Sequence, residues 1–162
     1  MKEKALSDVG VWAVEVAGAP VGSKEVFIVH GHSETAKTQL KSLLMALGLQ
    51  PVILVEQTHR GRTIMEELEY YSTTCSFAIV LMTPDDLAGD VGPTSMRRAR
   101  QNVILELGWF MGRLGRENVI FISQGEIELP SDVLGVLYLP FKTDVHEVAA
   151  EISKQLRDVG LL

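Results

Sequence analysis

Two patterns of apolar and polar residues alternate along the chain from Glu25 onward. Short runs rich in β-branched residues are almost continuously apolar, which is typical of parallel strands buried on both faces. Five such runs predict five strands: VFIVH (26–30), PVILVE (51–56), FAIVLM (77–82), NVIFIS (118–123) and VLYLP (136–140). The segments between these runs carry helical patterns.

The predicted helices are marked by apolar stripes and by residues that start or stop a helix. Residues 33–47 place five apolar side chains on one stripe, and Gly48 supplies a C-terminal stop. At Thr63 the sequence TIME is a capping box, in which Thr63 and Glu66 can satisfy each other's backbone donors, and DVHE at 144–147 is another. Strands that alternate with helices predict an α/β fold, a doubly wound five-stranded parallel sheet with helices on both faces.

The first 24 residues differ from the rest of the chain. They are rich in Gly, Ala and Val, and Glu15 interrupts their apolar stretch, which makes them a poor signal peptide. A local helix and a linker from an upstream domain both fit this composition, and the linker is favoured. We therefore expect a linker or N-terminal extension over 1–24 and one domain over 25–162.

Composition narrows the class of protein. Apolar residues make up 46% of the 162 residues and charged residues 22%, as in a soluble globular protein. The single cysteine, Cys75, excludes an internal disulfide, no Cys/His cluster has metal-ligand spacing, and no apolar run approaches the roughly 20 residues of a membrane span. The net charge of −6 argues against non-specific nucleic-acid binding, although Arg97, Arg98 and Arg100 can hold a small anion. We expect a cytoplasmic, metal-free protein.

In sheets of this kind ligands bind outside the carboxyl ends of the strands, near the switch in strand order. The loops expected there are His30–Ser33, Gln57–Arg62, Thr83–Arg100 and Ser123–Pro130. In the first of them, HGHS, Gly31 lets the backbone pass close to a ligand, and the following helix N-terminus favours phosphate. His30, Gly31 and His32 are therefore candidate nucleotide-binding residues, while a plain strand-to-helix turn with Ser33 as N-cap is the alternative.

The second and third loops add charged candidates. In EQTHRGRT, Arg60 and Arg62 flank Gly61 before the capped helix, which suits contact with phosphates, contact with a neighbouring protomer, or simple solvation. In TPDD, Asp85 and Asp86 directly follow a strand and can accept hydrogen bonds from ribose hydroxyls, but the same residues are also common in turns.

A receiver domain would use the same fold for phosphoacceptor chemistry. It requires an acidic pair after the first strand, and HGHS contains no acid. It also requires a lysine in a later loop, and none follows NVIFIS. The sequence therefore argues against phosphoacceptor chemistry.

The segment RARQNVILELGWFMGRLG predicts a helix that is apolar nearly all round and hence buried. Glu106 lies in its middle, where a carboxylate costs several kcal/mol, roughly, unless it is paired or its pKa rises. Asn102 lies one turn earlier and Trp109 and Phe110 one turn later, so that carboxylate, amide and aromatic can share a pocket, although Trp109 fits the core better. A structural Glu106 paired with Arg100 or Arg113 is the alternative.

These segments together resemble the bacterial TIR-like family of nucleotide-binding effectors of antiphage signalling systems. The resemblance is carried by VFIVHGH, GRTIMEELE, FAIVLMTPDD, RARQNVILELGWFMGRLGRENV and LPSDVLGVLYLPF, which span about 25–160. It implies a flavodoxin-like TIR fold and an NAD glycohydrolase that is switched on by self-assembly. The loop AGDVGPTSM after TPDD departs from the family's usual pattern, so substrate contacts there are not implied.

The resemblance also assigns roles to residues. The family's catalytic glutamate falls on Glu106, and the HGH and TPDD loops form the nucleotide pocket. The loop with Arg62 and Thr63 is the one through which TIR protomers complete each other's sites, and Arg100 and Asn102 complete the binding set. NAD is then the substrate, no separate cofactor is needed, and the partners are further TIR copies and an upstream sensor. A non-catalytic TIR scaffold and a nucleoside deoxyribosyltransferase remain the alternatives.

Overall fold

The computed structural model describes residues 22–53, 63–83, 101–127 and 135–162, with the backbone alone at Ile64, Gln101 and Asn102. The strands are β1 (Glu25–His30), β2 (Gln50–Ile53), β3 (Phe77–Met82), β4 (Val119–Gln124) and β5 (Leu137–Phe141). The helices are α1 (Glu34–Ala46), α2 (Ile64–Thr74), α3 (Gln101–Leu114) and α4 (Ala149–Asp158), with 3-10 turns at Arg116–Asn118 and Val145–Val148.

The five strands form one parallel sheet in the order β2-β1-β3-β4-β5. This order confirms the predicted doubly wound, flavodoxin-like fold, in which the chain reverses direction across the sheet between β1 and β3. His30 lies opposite Leu81, and Met82 lies opposite Ser123, so the strands end together. We call this end of the sheet the carboxyl edge.

Strand and helix limits follow the predicted pattern with small shifts. β3 has the predicted bounds, and β1 and β2 each begin one residue earlier than predicted. β4 and β5 are each shifted by one residue towards the C-terminus, and the continuation of β2 past Ile53 lies outside the described residues. Both capping boxes are present, at Thr63 with Glu66 and at Asp144 with Glu147. The second box opens a 3-10 turn that passes into α4, where a continuous α-helix was expected.

Each face of the sheet carries its own apolar core. Val26 and Ile28 of β1 belong to a cluster with α1 and α4, whereas Phe27 and Val29 belong to a cluster with α2 and α3. The alternation follows from the period of two in a strand. Burial on both faces explains why the central strands read as continuous apolar runs.

The prediction that α3 is buried nearly all round is wrong. Its buried apolar residues form one stripe, at Val103, Leu107, Phe110 and Leu114. Leu105 is 60% exposed, because a helix that packs on a sheet turns only one face towards it. The apolar residues of the outer face therefore do not belong to the core.

Two features are absent from the described residues. None of their helices combines the length and the apolar character needed to cross a membrane. No group of three or more His, Cys, Asp or Glu side chains among them is arranged to hold a metal ion.

Candidate functional site

Glu106 is placed by the path of the chain around the sheet. β3 ends at the carboxyl edge and β4 starts at the opposite end, where Val119 pairs with Ala78, so α3 runs back from the carboxyl edge. Glu106 is about 7.5 Å along the axis from the first residue of α3, since each helical residue rises about 1.5 Å. The carboxylate therefore lies in the half of the helix nearer the expected ligand end.

The Glu106 side chain is half-buried and has no charged or hydrogen-bonding partner among the described residues. Burial raises the pKa of the Glu106 carboxyl above its ordinary value of 4.5, and desolvation is the cause. Within the described part of the chain Glu106 makes no hydrogen bond and no ion pair, so the alternative in which Arg113 pairs with it is wrong. Arg100, the other proposed structural partner, lies outside the described residues.

The neighbours of Glu106 on α3 divide between core and site. Phe110 is fully buried and its ring centroid lies 4.8 Å from that of Phe27, so it belongs to the core and not to a shared pocket. Trp109 is partly buried against the same cluster, which agrees with the favoured core assignment. The backbone of Asn102 lies one helical turn before Glu106 on the same face, while its side chain is outside the described residues.

The HGHS loop connects β1 to α1. Ser33 is the N-cap of α1, and its hydroxyl accepts a hydrogen bond of 3.3 Å from the Ala36 amide, which confirms its structural role. His30 Nδ1 lies 2.7 Å from the carbonyl oxygen of Gly31, and His30 Nε2 is buried with no hydrogen-bond partner among the described residues. His32 is exposed. A ligand-binding role of this loop stays a prediction.

Thr63 already has a structural function. Its amide donates to Glu66 Oε2 at 2.6 Å, and its hydroxyl accepts from the Glu66 amide at 3.3 Å. The hydroxyl can therefore bind a ligand only in addition to, or in place of, capping α2. The other predicted binding residues of these loops, Arg62, Asp85, Asp86 and Arg100, lie outside the described residues.

Strand alternation separates the first loop from Glu106. His30 continues the positions of Val26 and Ile28, on the face of α1, whereas α3 packs on the face of Phe27. A ligand that contacts both His30 and Glu106 must therefore cross the carboxyl edge where β1 adjoins β3. Extended dinucleotides bind across this crevice in related α/β sheets.

A polar network that the sequence analysis missed lies at the end of β4. Ser123 is fully buried, its hydroxyl donates to the Gly125 carbonyl oxygen at 2.5 Å, and it lies 2.9 Å from the Tyr138 hydroxyl. The Ile127 amide donates to the same Tyr138 oxygen at 3.1 Å. The network fixes the start of the loop after β4, and the signal for it in the sequence is the serine that directly follows the apolar run VIFI.

Comparisons with known proteins agree with this architecture. Residues 25–143 match the family model described as CAP12/Pycsar effector protein, TIR domain. Two solved structures share the fold: a metazoan TIR-STING receptor from C. gigas (TM-score 0.55, 11% identity, 81% of this chain and 38% of that one) and a prokaryotic SEFIR domain (TM-score 0.50, 20% identity, 83% and 90%). At these identities the likeness is one of fold.

Curated relatives extend the match. Uncharacterized protein YuaY of Escherichia coli (strain K12) is 49% identical over 117 residues, 72% of this chain and 39% of that protein. Protein tirC of Dictyostelium discoideum is 34% identical over 140 residues, 80% of this chain and 70% of its own. Pycsar effector protein BcPycTIR of Burkholderia cepacia is 39% identical over 82 residues, which are 49% of this chain and 27% of the effector. With its family model matched over most of its length, this chain belongs to the CAP12/Pycsar effector TIR-domain family.

Proposed function

We propose that this chain is an NAD glycohydrolase, which cleaves the bond between nicotinamide and ribose and releases nicotinamide and ADP-ribose or a cyclic form of it. The observation that carries the proposal is Glu106, a half-buried carboxyl whose pKa is raised by burial and which has no partner among the described residues. A half-buried carboxyl with a raised pKa is typical of functional sites, so Glu106 is a candidate for ligand contact. Membership of the TIR-domain family also supports NAD cleavage as the reaction.

The chemistry fits a single carboxylate. When the C–N bond breaks, its electron pair leaves with nicotinamide, and positive charge develops on the ribose as in other glycoside cleavages. Nicotinamide leaves as a neutral base, so it needs no proton from the protein. Water then attacks the ribose carbon and loses one proton to the solvent, which gives ADP-ribose. In NAD the positive charge starts on the nicotinamide ring nitrogen and moves onto the ribose as the bond breaks. A Glu106 carboxylate placed beside the ribose, with no cation from the described residues paired to it, would therefore attract that charge more strongly in the transition state than in the ground state.

The remaining predicted residues would form the nucleotide pocket. In this proposal the first loop with His30, Gly31 and His32, and the third loop with Asp85 and Asp86, bind the nucleotide at the carboxyl edge. Thr63, Arg100 and Asn102 complete the binding set, and no cofactor besides the NAD substrate takes part. The phosphates of NAD suit the N-terminus of α1.

Incubating the protein with NAD and separating the products tests the proposal against its rivals. A glycohydrolase releases nicotinamide and ADP-ribose, or a cyclic product, in step with the loss of NAD. A deoxyribosyltransferase would instead exchange bases on an added deoxynucleoside. A TIR scaffold would leave both substrates intact at every protein concentration, and that result would contradict the proposal.

We further propose that activity depends on self-assembly, with the loop that contains Arg62 completing the site of a neighbouring copy. In this proposal residues 1–24 link the domain to an upstream sensor, and the assembled protein acts in antiphage defence in the cytoplasm. The chain spans 39% of YuaY and 27% of BcPycTIR, which leaves room in those proteins for other parts. A composite site requires two protomers, so NAD cleavage per protomer should rise with protein concentration, and Arg62→Ala should suppress the rise. Specific activity that stays flat and high would contradict assembly while leaving the glycohydrolase intact.

A further inference from the structure

The two ring nitrogens of His30 have different surroundings at the carboxyl edge. Nδ1 lies 2.7 Å from the Gly31 carbonyl oxygen, and because a carbonyl only accepts hydrogen bonds, Nδ1 carries the proton. Nε2 is buried and has no hydrogen-bond partner among the described residues. In the neutral ring Nε2 is therefore an acceptor that lacks a donor.

This acceptor discriminates between ligand atoms. Phosphate and carboxylate oxygens carry no proton near neutral pH, so their lone pairs would repel that of Nε2. Hydroxyl and amino groups can donate to it. In a dinucleotide such as NAD the available donors are the ribose hydroxyls, the adenine amino group and the nicotinamide carboxamide.

We propose that His30 Nε2 accepts a hydrogen bond from a ribose hydroxyl of the bound dinucleotide, which makes His30 a specificity-determining residue. This inference rests on the proposed function. The turn after His30 leads directly into α1. At the N-terminus of this helix the Ser33 side chain accepts a hydrogen bond from the Ala36 amide alone, so the other backbone amides of the first turn can donate to a phosphate. Each ribose of NAD is bonded to a phosphate, which brings its hydroxyls close to a phosphate held there. The adenine amino group and the carboxamide lie at the far ends of the molecule.

Burial gives this contact its selectivity. An acceptor hidden from water cannot replace a missing ligand donor with solvent, so a ligand without the hydroxyl leaves Nε2 unpaired. Neighbouring side chains must shift slightly to admit the ligand, since Nε2 is covered in the free protein. The Nδ1 contact to Gly31 keeps the proton on the nitrogen that does not face the ligand.

Nitrogen NMR of protein labelled with 15N-histidine tests the tautomer and the contact together. In the free protein we expect the His30 Nδ1 to be protonated and Nε2 to resonate as an unprotonated nitrogen. Adding a non-cleavable carbocyclic NAD analogue should move the Nε2 signal in the direction of hydrogen-bond acceptance and leave His146, which is exposed and bonded to Asp144, unchanged. A proton on Nε2 in the complex, or an unmoved signal at saturation, would overturn the proposal.

Kinetics identify which ligand group donates. His30→Leu should raise the KM for NAD about tenfold, and His30→Gln, whose amide oxygen can accept, should restore most of the affinity. The same tenfold effect is expected with nicotinamide hypoxanthine dinucleotide, which lacks the adenine amino group, and with acetylpyridine adenine dinucleotide, which lacks the carboxamide N–H. It should vanish only for the analogue that lacks the bound ribose hydroxyl.

The outcomes separate this inference from the proposed function. If the effect of His30→Leu vanishes with the hypoxanthine or acetylpyridine analogue, a base group is the donor and the ribose assignment is wrong. If NAD is cleaved and His30→Leu leaves KM unchanged, the role of His30 fails and the glycohydrolase stands. If wild-type protein neither cleaves nor binds NAD, the proposed function fails and this inference fails with it.

Discussion

The helical segment Val145–Asp158 and helix α3 lie on opposite faces of the sheet and differ in how their polar groups are paired. At the start of the former, the Glu147 carboxylate accepts hydrogen bonds from the amides of Lys142 at 2.9 Å, Thr143 at 2.8 Å and Asp144 at 2.9 Å. Gln39 of α1 donates to Asp144 Oδ2 at 3.0 Å and accepts from the Val145 amide at 3.2 Å. This region satisfies its polar groups within the fold.

On α3 three of the described polar side chains lack such partners. Glu106 makes no hydrogen bond to another described residue, and Trp109 Nε1 and Arg113 Nε are buried without a described partner. These positions follow one another at spacings of three and four, so they share one side of the helix. A network closed within the fold stabilises the fold, whereas polar groups left open are candidates for binding. The comparison therefore assigns stability to the first region and makes the open polar groups of α3 the candidates for function.

The largest expected effect comes from removing the charge on α3. Glu106→Gln keeps the shape of the side chain and removes the carboxylate, so we expect kcat for NAD cleavage to fall by about 10² or more. Because burial disfavours the charged form, the melting temperature should stay unchanged or rise slightly. Product formation and thermal unfolding, measured on the same preparation, check both results.

Glu151→Gln is the matched control for this variant, since Glu151 is an exposed residue in the first turn of α4. It makes the same chemical change on the opposite face and should leave turnover unaltered. Wild-type turnover in Glu106→Gln would remove Glu106 from the mechanism.

The sequence predicted the fold well because the signals for it are local. The β3 run FAIVLM and the TIME capping box depend on neighbouring residues, and the structure has both where they were predicted. The exposure of Leu105 depends on which face of α3 packs on the sheet, and the pairing of Ser123 with Tyr138 depends on which strand lies next to β4. The periodicity of the sequence contains neither piece of information. Glu106 could be singled out as a candidate from the sequence because a charged residue in an apolar run is visible without tertiary structure. That Glu106 does not pair with Arg113 could not be predicted, because this depends on the side-chain positions in the fold.

The next largest effect is a loss of stability on removing the Glu147 carboxylate, which accepts the backbone hydrogen bonds before α4. The Glu147 carboxylate accepts hydrogen bonds from three backbone amides, whereas the side chain of Glu147→Gln has a single oxygen that can accept. We therefore expect the melting temperature to fall by about 2–6 °C. NAD cleavage measured well below the melting temperature should be unchanged. A melting temperature equal to wild type would show that this capping network adds nothing to the fold.

The two glutamates should make stability depend on pH with opposite signs. Backbone hydrogen bonds lower the pKa of Glu147 from 4.5 to about 2, so its contribution is present above about pH 4.5 and is lost as pH falls towards 2. The raised pKa of Glu106 gives the reverse, because stability present below pH 4.5 is lost as pH rises through its folded value. Unfolding free energies across this range should therefore favour wild type over Glu147→Gln increasingly as pH rises from 2 to 4.5. They should favour Glu106→Gln over wild type increasingly above 4.5, and parallel curves for all three proteins would contradict both assignments.

The smallest expected effect distinguishes core from site at Trp109. The indole packs against the cluster of α2 and α3 while its Nε1 has no described partner, so Trp109→Phe removes the N–H and part of the packed surface. If the side chain belongs to the core, stability should fall by about 1 kcal/mol, with KM for NAD within about threefold of wild type. Leu105→Ala, at the exposed position four residues earlier on the same helix, is the control and should change neither quantity. A tenfold rise in KM with an unchanged melting temperature would instead make the indole N–H a substrate contact, and it would place Trp109 with Glu106 on the functional side of α3.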